Sequence, residues 1–498
     1  MRGAGCGVRG AGCGLSGESA FIKATADKAL SGEVKLDIGF RLRLWLRLTK
    51  SPSSSPPEEE PRFNIGYSSV PCPVPCALCL YNNIDMERIV LHLDLDTFFV
   101  SVERLKDSRL IGVPVIIGGL SDRGVVAGCS YEARQFGVSS AMPMKMARNL
   151  CTDAVFIRGD MESYSNYSKM VTDIIAERSP LYEKASVDEH YVDMTGMERF
   201  HGGYKWAHEL RKTIMKETGL PISLGLSVNK TVSKIATGEA KPNGEREVEK
   251  NLVLPFLDPL SIRKIPMVGQ KTYHMLRSMG ISTIHTLRHI PPDMMTSLMG
   301  KNGMDIWRKS NGIDHSPVVS YSEQRSISTE NTFEKDTTDL VRLNQILGSM
   351  VEKITWQMRK QEKLTSCVTV KIRYSNFDTH TLQKRIPYTS FDHVLIDTAK
   401  ELFMRLYKRR MLIRLVGVRF SHLVRGVQQL NMFEDTPEIV NLYMTMDRLR
   451  KRFGQNAVKR ACGVMTCAEK EEKALKKLEN ALKEREMMEE RLKNVWYG

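Results

Sequence analysis

The stretch Leu91-His92-Leu93-Asp94-Leu95-Asp96-Thr97-Phe98-Phe99-Val100 sets two carboxylates two residues apart inside an apolar run. Side chains alternate along a strand, so Asp94 and Asp96 project from one face if residues 89–96 are extended. A buried carboxylate without a partner is costly, and that face must be wet, hydrogen-bonded or occupied by cations. A second acidic pair, Asp188-Glu189, lies in Ser186-Val187-Asp188-Glu189-His190-Tyr191-Val192-Asp193, at the tip of an apolar strand pair. A solvated edge strand and a solvated turn would account for each pair separately. Convergence of Asp94 with Asp188 and Glu189 would set like charges about 4 Å apart, at roughly 4 kcal/mol per pair for an effective dielectric near 20. Divalent cations remove that cost. Hard carboxylate oxygens suit Mg2+, and two such ions about 3.5–4 Å apart lower the pKa of an attacking hydroxyl and stabilise a departing pyrophosphate.

Residues able to grip phosphate accompany the acids. Tyr131-Glu132-Ala133-Arg134 falls where a strand ends and a helix begins. Backbone N–H groups attract anions there, and Arg134 can hold phosphate oxygens bidentately. Lys241, in Ala240-Lys241-Pro242-Asn243-Gly244, adds a point charge at a turn. Each alone is equally a solvated surface residue; with the carboxylates they describe a nucleoside triphosphate site.

The elements that must position these groups begin near Arg88. VPVIIGG and GVVAGCS read as short buried strands bounded by glycines, and SYSNYSKMVTDIIAERS as a helix ended by Pro180. LYEKASVDEHYVDMTG reads as a hairpin-like strand pair and PISLGLSVN as a further strand. This mixture predicts an α/β domain whose palm-like sheet is packed on one side. Residues 250–317 are patterned as helices with short turns. The order strand, helix, two strands, helix, strand follows, a separate α+β module. KIRYSN and RLVGVRF alternate basic with apolar residues, which leaves Lys371, Arg373, Lys384, Arg385, Arg414 and Arg419 in or beside strands, on a face that is either solvated or turned to phosphates. Leu442, Met446, Leu449 and Phe453 form a helical stripe closed by Gly454, read as packing.

Composition sets the bounds. In 498 residues Lys and Arg number 73 against 58 Asp and Glu, and the net +15 favours a polyanionic partner, nucleic acid ahead of anionic membrane. No run approaches 18 apolar residues, and the N-terminus lacks the order of a secretory signal, so a membrane partner is not expected and a cytoplasmic location is. Ten cysteines in so long a chain suit a reducing compartment. Residues 1–85 look like a poorly structured or misassigned extension, with a direct repeat, RGAGCGV and RGAGCGL, and the linker-like SPSSSPPEEEP. Cys72, Cys76 and Cys79 have the spacing of an iron–sulfur ligand set, but no repeated strand-helix units follow in the required place.

LDLDTFFVSVE, CSYEARQFGVSSAMP, SVDEHYVD, GLSVNKTVSKIATGEAKPNG and IPMVG occur in this order, and across about residues 88–435 the chain resembles the Y-family DNA polymerases, most nearly their bacterial polymerase IV branch. The resemblance implies a right-hand polymerase of α/β and α+β domains. The palm would be 86–97 and 161–249, the fingers 98–160, the helical thumb 250–317, a linker 318–326 and the little finger 327–428, with 429–498 a docking motif and charged helical tail. The implied reaction is low-fidelity, translesion addition of dNTPs to a primer 3′-hydroxyl without proofreading. Asp94, Asp188 and Glu189 would be catalytic and, with the Leu95 carbonyl, would hold two Mg2+ ions. Tyr131, Arg134 and Lys241 would hold the triphosphate. Phe99, with Phe98 beside it, would meet the sugar and bar a ribose 2′-hydroxyl; the bare residues allow core packing as well. Asp96 is assigned to local hydrogen bonding. Ile265-Pro266-Met267-Val268-Gly269-Gln270-Lys271-Thr272 resembles a helix-hairpin-helix whose Val268, Gly269 and Lys271 would meet DNA phosphates, and Lys371, Arg373 and Arg419 would do so from the little finger. Met267 stands where relatives carry glycine, and Gly128 where they carry a small hydroxyl residue. Gln429, Leu430, Met432 and Phe433 resemble the peptide that docks bacterial polymerases on a sliding clamp. Primer-template DNA, dNTP and the clamp are thus the expected partners of a monomer.

Two other classes remain open to sequence. A nucleotidyl cyclase can use a palm-like sheet with paired acids but needs no helix-hairpin-helix; dNTP with primed template against NTP alone separates them. A non-catalytic DNA-binding paralogue is disfavoured by the presence of all three acids.

Overall fold

The computed structural model of the protein describes residues 87–197, 202–407, 411–426 and 437–460, with single residues at 475, 482, 486, 489 and 490. The N-terminal extension with its Cys72, Cys76 and Cys79, the 429–433 segment and most of the charged tail lie outside the described residues.

Strand β1 (Val90–Leu95) and helix α1 (Phe98–Lys106) are followed by β2 (Val115–Gly118), β3 (Val126–Cys129), α2 (Tyr131–Gln135), α3 (Met144–Leu150) and β4 (Val155–Arg158). Next come α4 (Met161–Arg178), β5 (Tyr182–Lys184), β6 (Glu189–Asp193), α5 (Gly203–Thr218), β7 (Ile222–Ser227), α6 (Lys230–Ala240) and β8 (Glu245–Glu247). Helices α7 (Val253–Leu257), α8 (Gln270–Ser278), α9 (Ile284–Arg288), α10 (Pro292–Met299) and α11 (Lys301–Ser310) precede β9 (Ser326–Thr337), α12 (Leu340–Lys360), β10 (Lys363–Tyr374), β11 (Thr379–Thr389), α13 (Asp392–Leu406), β12 (Ile413–Arg425) and α14 (Pro437–Phe453).

The first sheet runs β5-β6-β1-β7-β8. Leu91, Leu93 and Leu95 share a core with Val171 and Ile175 of α4 and Ala207, Leu210 and Ile214 of α5. Contrary to the one-sided packing expected, the other face is covered as well. Gly225 lets α6 approach: a Cβ there would lie 2.2 Å from the Ser233 carbonyl and 2.5 Å from the Thr237 amide. A three-stranded sheet, β3-β2-β4, carries α2 and α3, and α7 to α11 enclose a core around Phe256, Leu257, Ile284 and Met295 that Val232, Ile235 and Ala236 of α6 join.

In the last module β11-β10-β12-β9 is antiparallel throughout, and α12 and α13 bury its Val368, Val370, Ile372, Val416, Val418 and Phe420. Helix α14, which the sequence assigned to the tail, packs on this module. Arg359 of α12 binds Asp447 at 2.7 Å and Asp392 at 2.6 Å, and Arg450, only 3% exposed, reaches Asp392, Asp447 and Glu352 at 3.7–4.0 Å. The Tyr443 hydroxyl meets His393 Nδ1 at 2.8 Å. The apolar stripe expected to pack does not: Leu442 is 57% and Phe453 63% exposed. Buried acids on α12 and α13 need cationic partners, and the Tyr443–Arg450 face supplies them.

Candidate active site

Period-2 alternation, with the leucines of β1 turned to α4 and α5, puts His92 and Asp94 on the α6 face. His92 is covered there, its Nδ1 2.8 Å from Thr237 Oγ1. Glu189 stands directly opposite Asp94 on β6, Ser223 opposite it on β7, and the Leu95 N–H donates to the Asp188 carbonyl at 3.0 Å. The backbone thus gathers three acids that are far apart along the chain. Ser186 fixes the turn before β6: its Oγ accepts the Glu189 amide at 3.0 Å and donates to the Asp188 carboxylate.

Cationic side chains meet two of the acids. Lys234 Nζ donates to both oxygens of Glu189 at 2.6 Å, and Lys241 Nζ to Asp94 at 2.5 Å. Lys234 was missed at the sequence level, since one more lysine on an amphipathic helix carries no distinguishing spacing. Among the described residues no three acid, histidine or cysteine side chains stand close enough to ligate one ion as placed. The donor chemistry nevertheless fits a hard cation. Burial raises Asp94 to about 6; Lys241 pulls it down, and the charges of Glu189 and Asp188 push it up. Half-buried oxygen donors that repel one another and hold a carboxyl above its ordinary range are suited to a divalent ion.

Strand β1 stops at Leu95, and Asp96, 1% exposed, is held by hydrogen bonds, as expected of it. Tyr131 donates to it at 3.3 Å, and burial followed by the Asp96 charge pushes the phenol well above its usual range. The exposed Arg134 guanidinium lies 5.0 Å over the Tyr131 ring. Helix α2 is a single short turn whose Ala133 amide is already taken by Ser130 Oγ at 3.2 Å, so the expected anion attraction there falls to side chains.

Phe98 does not reach a substrate space: it is 4% exposed in the core beneath the first sheet. Phe99 is partly open and stacks on Tyr164, centroids 4.4 Å apart and planes at 17°. A Cβ on Gly128 would come within 3.5 Å of its ring, so the glycine leaves room beside Phe99.

Val268 is 8% exposed, and its amide donates to the Ile265 carbonyl at 3.1 Å. The Gly269 amide is likewise engaged, by the Met267 carbonyl at 3.1 Å. The expectation that these two amides meet phosphate gives way to α8, whose N-cap Gly269 offers no side-chain acceptor and whose first turn holds Lys271. Met267 forms the turn with φ +83 and is 59% exposed. A non-glycine residue there is strained, and Met267→Gly is expected to raise the unfolding free energy by about 0.5–1 kcal/mol in urea titration, because relief of strain exceeds the added chain entropy.

Lys371, Arg373 and Arg419 share the face of the last sheet away from α12 and α13, with Thr369 opposite Arg419 and Lys371 opposite Gly417. Lys371 is held by Glu330 of β9 at 2.8 Å. Lys384 joins Glu401 of α13 at 2.6 Å and so serves the helical side.

Models of the impB/mucB/samB family match residues 93–238 and, for its C-terminal domain, residues 324–432. A DNA polymerase IV of Dehalococcoides mccartyi (strain CBDB1) is 38% identical over 375 residues, 74% of this chain and 96% of the relative. One from Treponema denticola is 34% identical over 381 residues, 75% and 96% of the two chains, and a DNA polymerase IV 2 of Methanosarcina mazei 35% identical over 361, or 71% and 98%. Two solved structures share the fold: a Y-family DNA polymerase chimera, TM-score 0.61 at 24% identity, and an insertion ternary complex of Dbh DNA polymerase, TM-score 0.51 at 23% identity. Each covers 68% of this chain and the whole of its own.

Proposed function

Because the chain belongs to the Y-family DNA polymerases, and is therefore a DNA-directed DNA polymerase of the translesion type, we propose that Asp94, Asp188 and Glu189 carry its reaction. A primer 3′-hydroxyl attacks the α-phosphate of a dNTP in line, and pyrophosphate leaves. Two Mg2+ ions on these acids and the Leu95 carbonyl would lower the hydroxyl's pKa and offset charge on the leaving group. Lys241, relieved of Asp94, joins Tyr131 and Arg134 on the triphosphate, and Phe99 excludes a 2′-hydroxyl. What most supports this reading is the placement of Glu189 opposite Asp94, with Asp188 bonded to the backbone of Leu95.

Helix α8 with Lys271 and the Lys371, Arg373 and Arg419 face would hold the duplex by its phosphates, independent of sequence. The 429–433 segment would dock on a sliding clamp, a proposal supported by its residues alone. Among the described residues no helix is long and apolar enough to cross a membrane, and a cytoplasmic monomer is proposed with the rest.

Primer extension tests the reading. With Mg2+ and dNTPs the protein extends a primer on an intact template and inserts opposite an abasic site; no product with Mg2+, or equal product in EDTA, overturns it. On the duplex-facing sheet, Glu330 competes with phosphate for Lys371. Glu330→Gln is expected to tighten primer-template binding about fivefold at ~50 mM salt, and by less at ~200 mM, in fluorescence anisotropy.

A further inference from the structure

The second acid of β1's end has no place in the reaction above, yet it is the best-connected carboxylate in the site. Asp96 Oδ2 accepts from Ser223 Oγ and from the Asn243 amide, both at 2.7 Å. Its Oδ1 accepts the Tyr131 hydroxyl at 3.3 Å and lies 3.8 Å from Lys241 Nζ. Its own N–H and carbonyl are tied as well, to the Pro221 carbonyl at 2.9 Å and Ser101 Oγ at 2.7 Å.

Asn243 belongs to the turn that carries Lys241 and adopts φ +50, in the left-handed region that asparagine tolerates better than most residues. Support comes from two sides. Asp96 takes its amide, while Arg211 Nη2 donates to its carbonyl and its Oδ1, each at 2.7 Å. Arg211 is itself 8% exposed and anchored by Nε to the Ile222 carbonyl at 2.7 Å and by Nη1 to Glu245 at 2.5 Å. The turn is thus gripped between β1 and α5. Tyr131 reaches the same carboxylate from α2, on the oxygen that Lys241 Nζ approaches.

We propose that Asp96 is a positioning residue for the incoming nucleotide: one buried carboxylate sets both the Lys241 turn and the Tyr131 hydroxyl, so that the groups gripping the triphosphate move as a unit. This rests on the assignment of Tyr131 and Lys241 to the triphosphate. A fixed spacing between two phosphate donors lowers the ordering cost of binding, an effect that belongs in KM for dNTP more than in the chemical step.

The test is single-nucleotide insertion by Asp96→Asn, Tyr131→Phe and the double variant, with dNTP concentration varied. Asp96→Asn is expected to raise KM about tenfold with kcat within about threefold, and Tyr131→Phe to add less than about twofold once Asp96→Asn is in place. Multiplying effects of the two changes, or a loss confined to kcat, overturns the proposal. Ser223→Ala, which removes one donor to the same carboxylate, is the second variant should Asp96→Asn not fold; it is expected to raise KM about threefold, and an unchanged KM overturns the proposal. Asp188→Ala in the same assay keeps the two readings apart. If it retains activity the catalytic assignment fails, whereas an inactive Asp188→Ala beside additive Asp96 and Tyr131 effects sinks only the coupling.

Discussion

Asp188→Ala is expected to lower the single-turnover rate of primer extension by about 10³–10⁵-fold while primer-template affinity stays within about threefold. The main-chain carbonyl, not the carboxylate, joins Asp188 to Leu95, and the Ser186 hydroxyl still receives the Glu189 amide, so the turn keeps its shape when the side chain is removed. What is lost is one of the charges that, with burial, lift Asp94 to about 6, so the substitution also brings Asp94 back toward the ordinary carboxylate range. A structural explanation of the loss would require a lowered melting temperature. The expected melting temperature is unchanged or higher, because one like charge has left a crowded site. Rapid-quench extension, anisotropy and thermal unfolding on one preparation decide the matter, and extension at the parent rate would remove the basis of the mechanism.

The second large effect concerns the sugar. Phe99→Ala is expected to reduce discrimination of dNTP over rNTP by about 10²–10³-fold, chiefly through faster ribonucleotide insertion. The ring has little freedom to yield. It lies flat on Tyr164, whose hydroxyl donates to Glu103 Oε1 at 2.7 Å, so the partner is pinned in turn. Tyr164→Phe cuts that pin while keeping the stack and should cost under tenfold. Parallel insertion of dCTP and CTP opposite template guanine measures both, and unchanged selectivity in Phe99→Ala would reassign Phe99 to packing.

Much of this was legible because a few chemical constraints are local. The spacing of Asp94 and the adjacency of Asp188 and Glu189 mark a place where charge gathers, and alternation along β1 says which face receives it. The strand-helix order of the last module followed from period and turn residues alone. What escaped was set by partners distant in sequence. Strand β8 is Glu245-Arg246-Glu247, three charged residues with no apolar period, and it exists because β7 offers a parallel edge. Phe98 and Phe99 are indistinguishable as letters; only the start of α1 turns one inward and leaves the other open. Lys371 reads as a bare cation until Glu330, from another strand, is found holding it. Helix α14 invited an apolar reading, whereas buried acids on α12 and α13 select its polar face.

That last docking ties the end of β12 and the start of α14 together. Because Arg359, Asp392 and Glu352 fasten α14 to the module that β12 has just completed, Gly426 and Pro437, the described residues that flank 427–436, belong to one body. A partner bound between them is leashed at two points. Half of a ten-residue span extends no more than about 18 Å, so such a partner would ride close beside the β11-β10-β12-β9 sheet instead of trailing on a loose end.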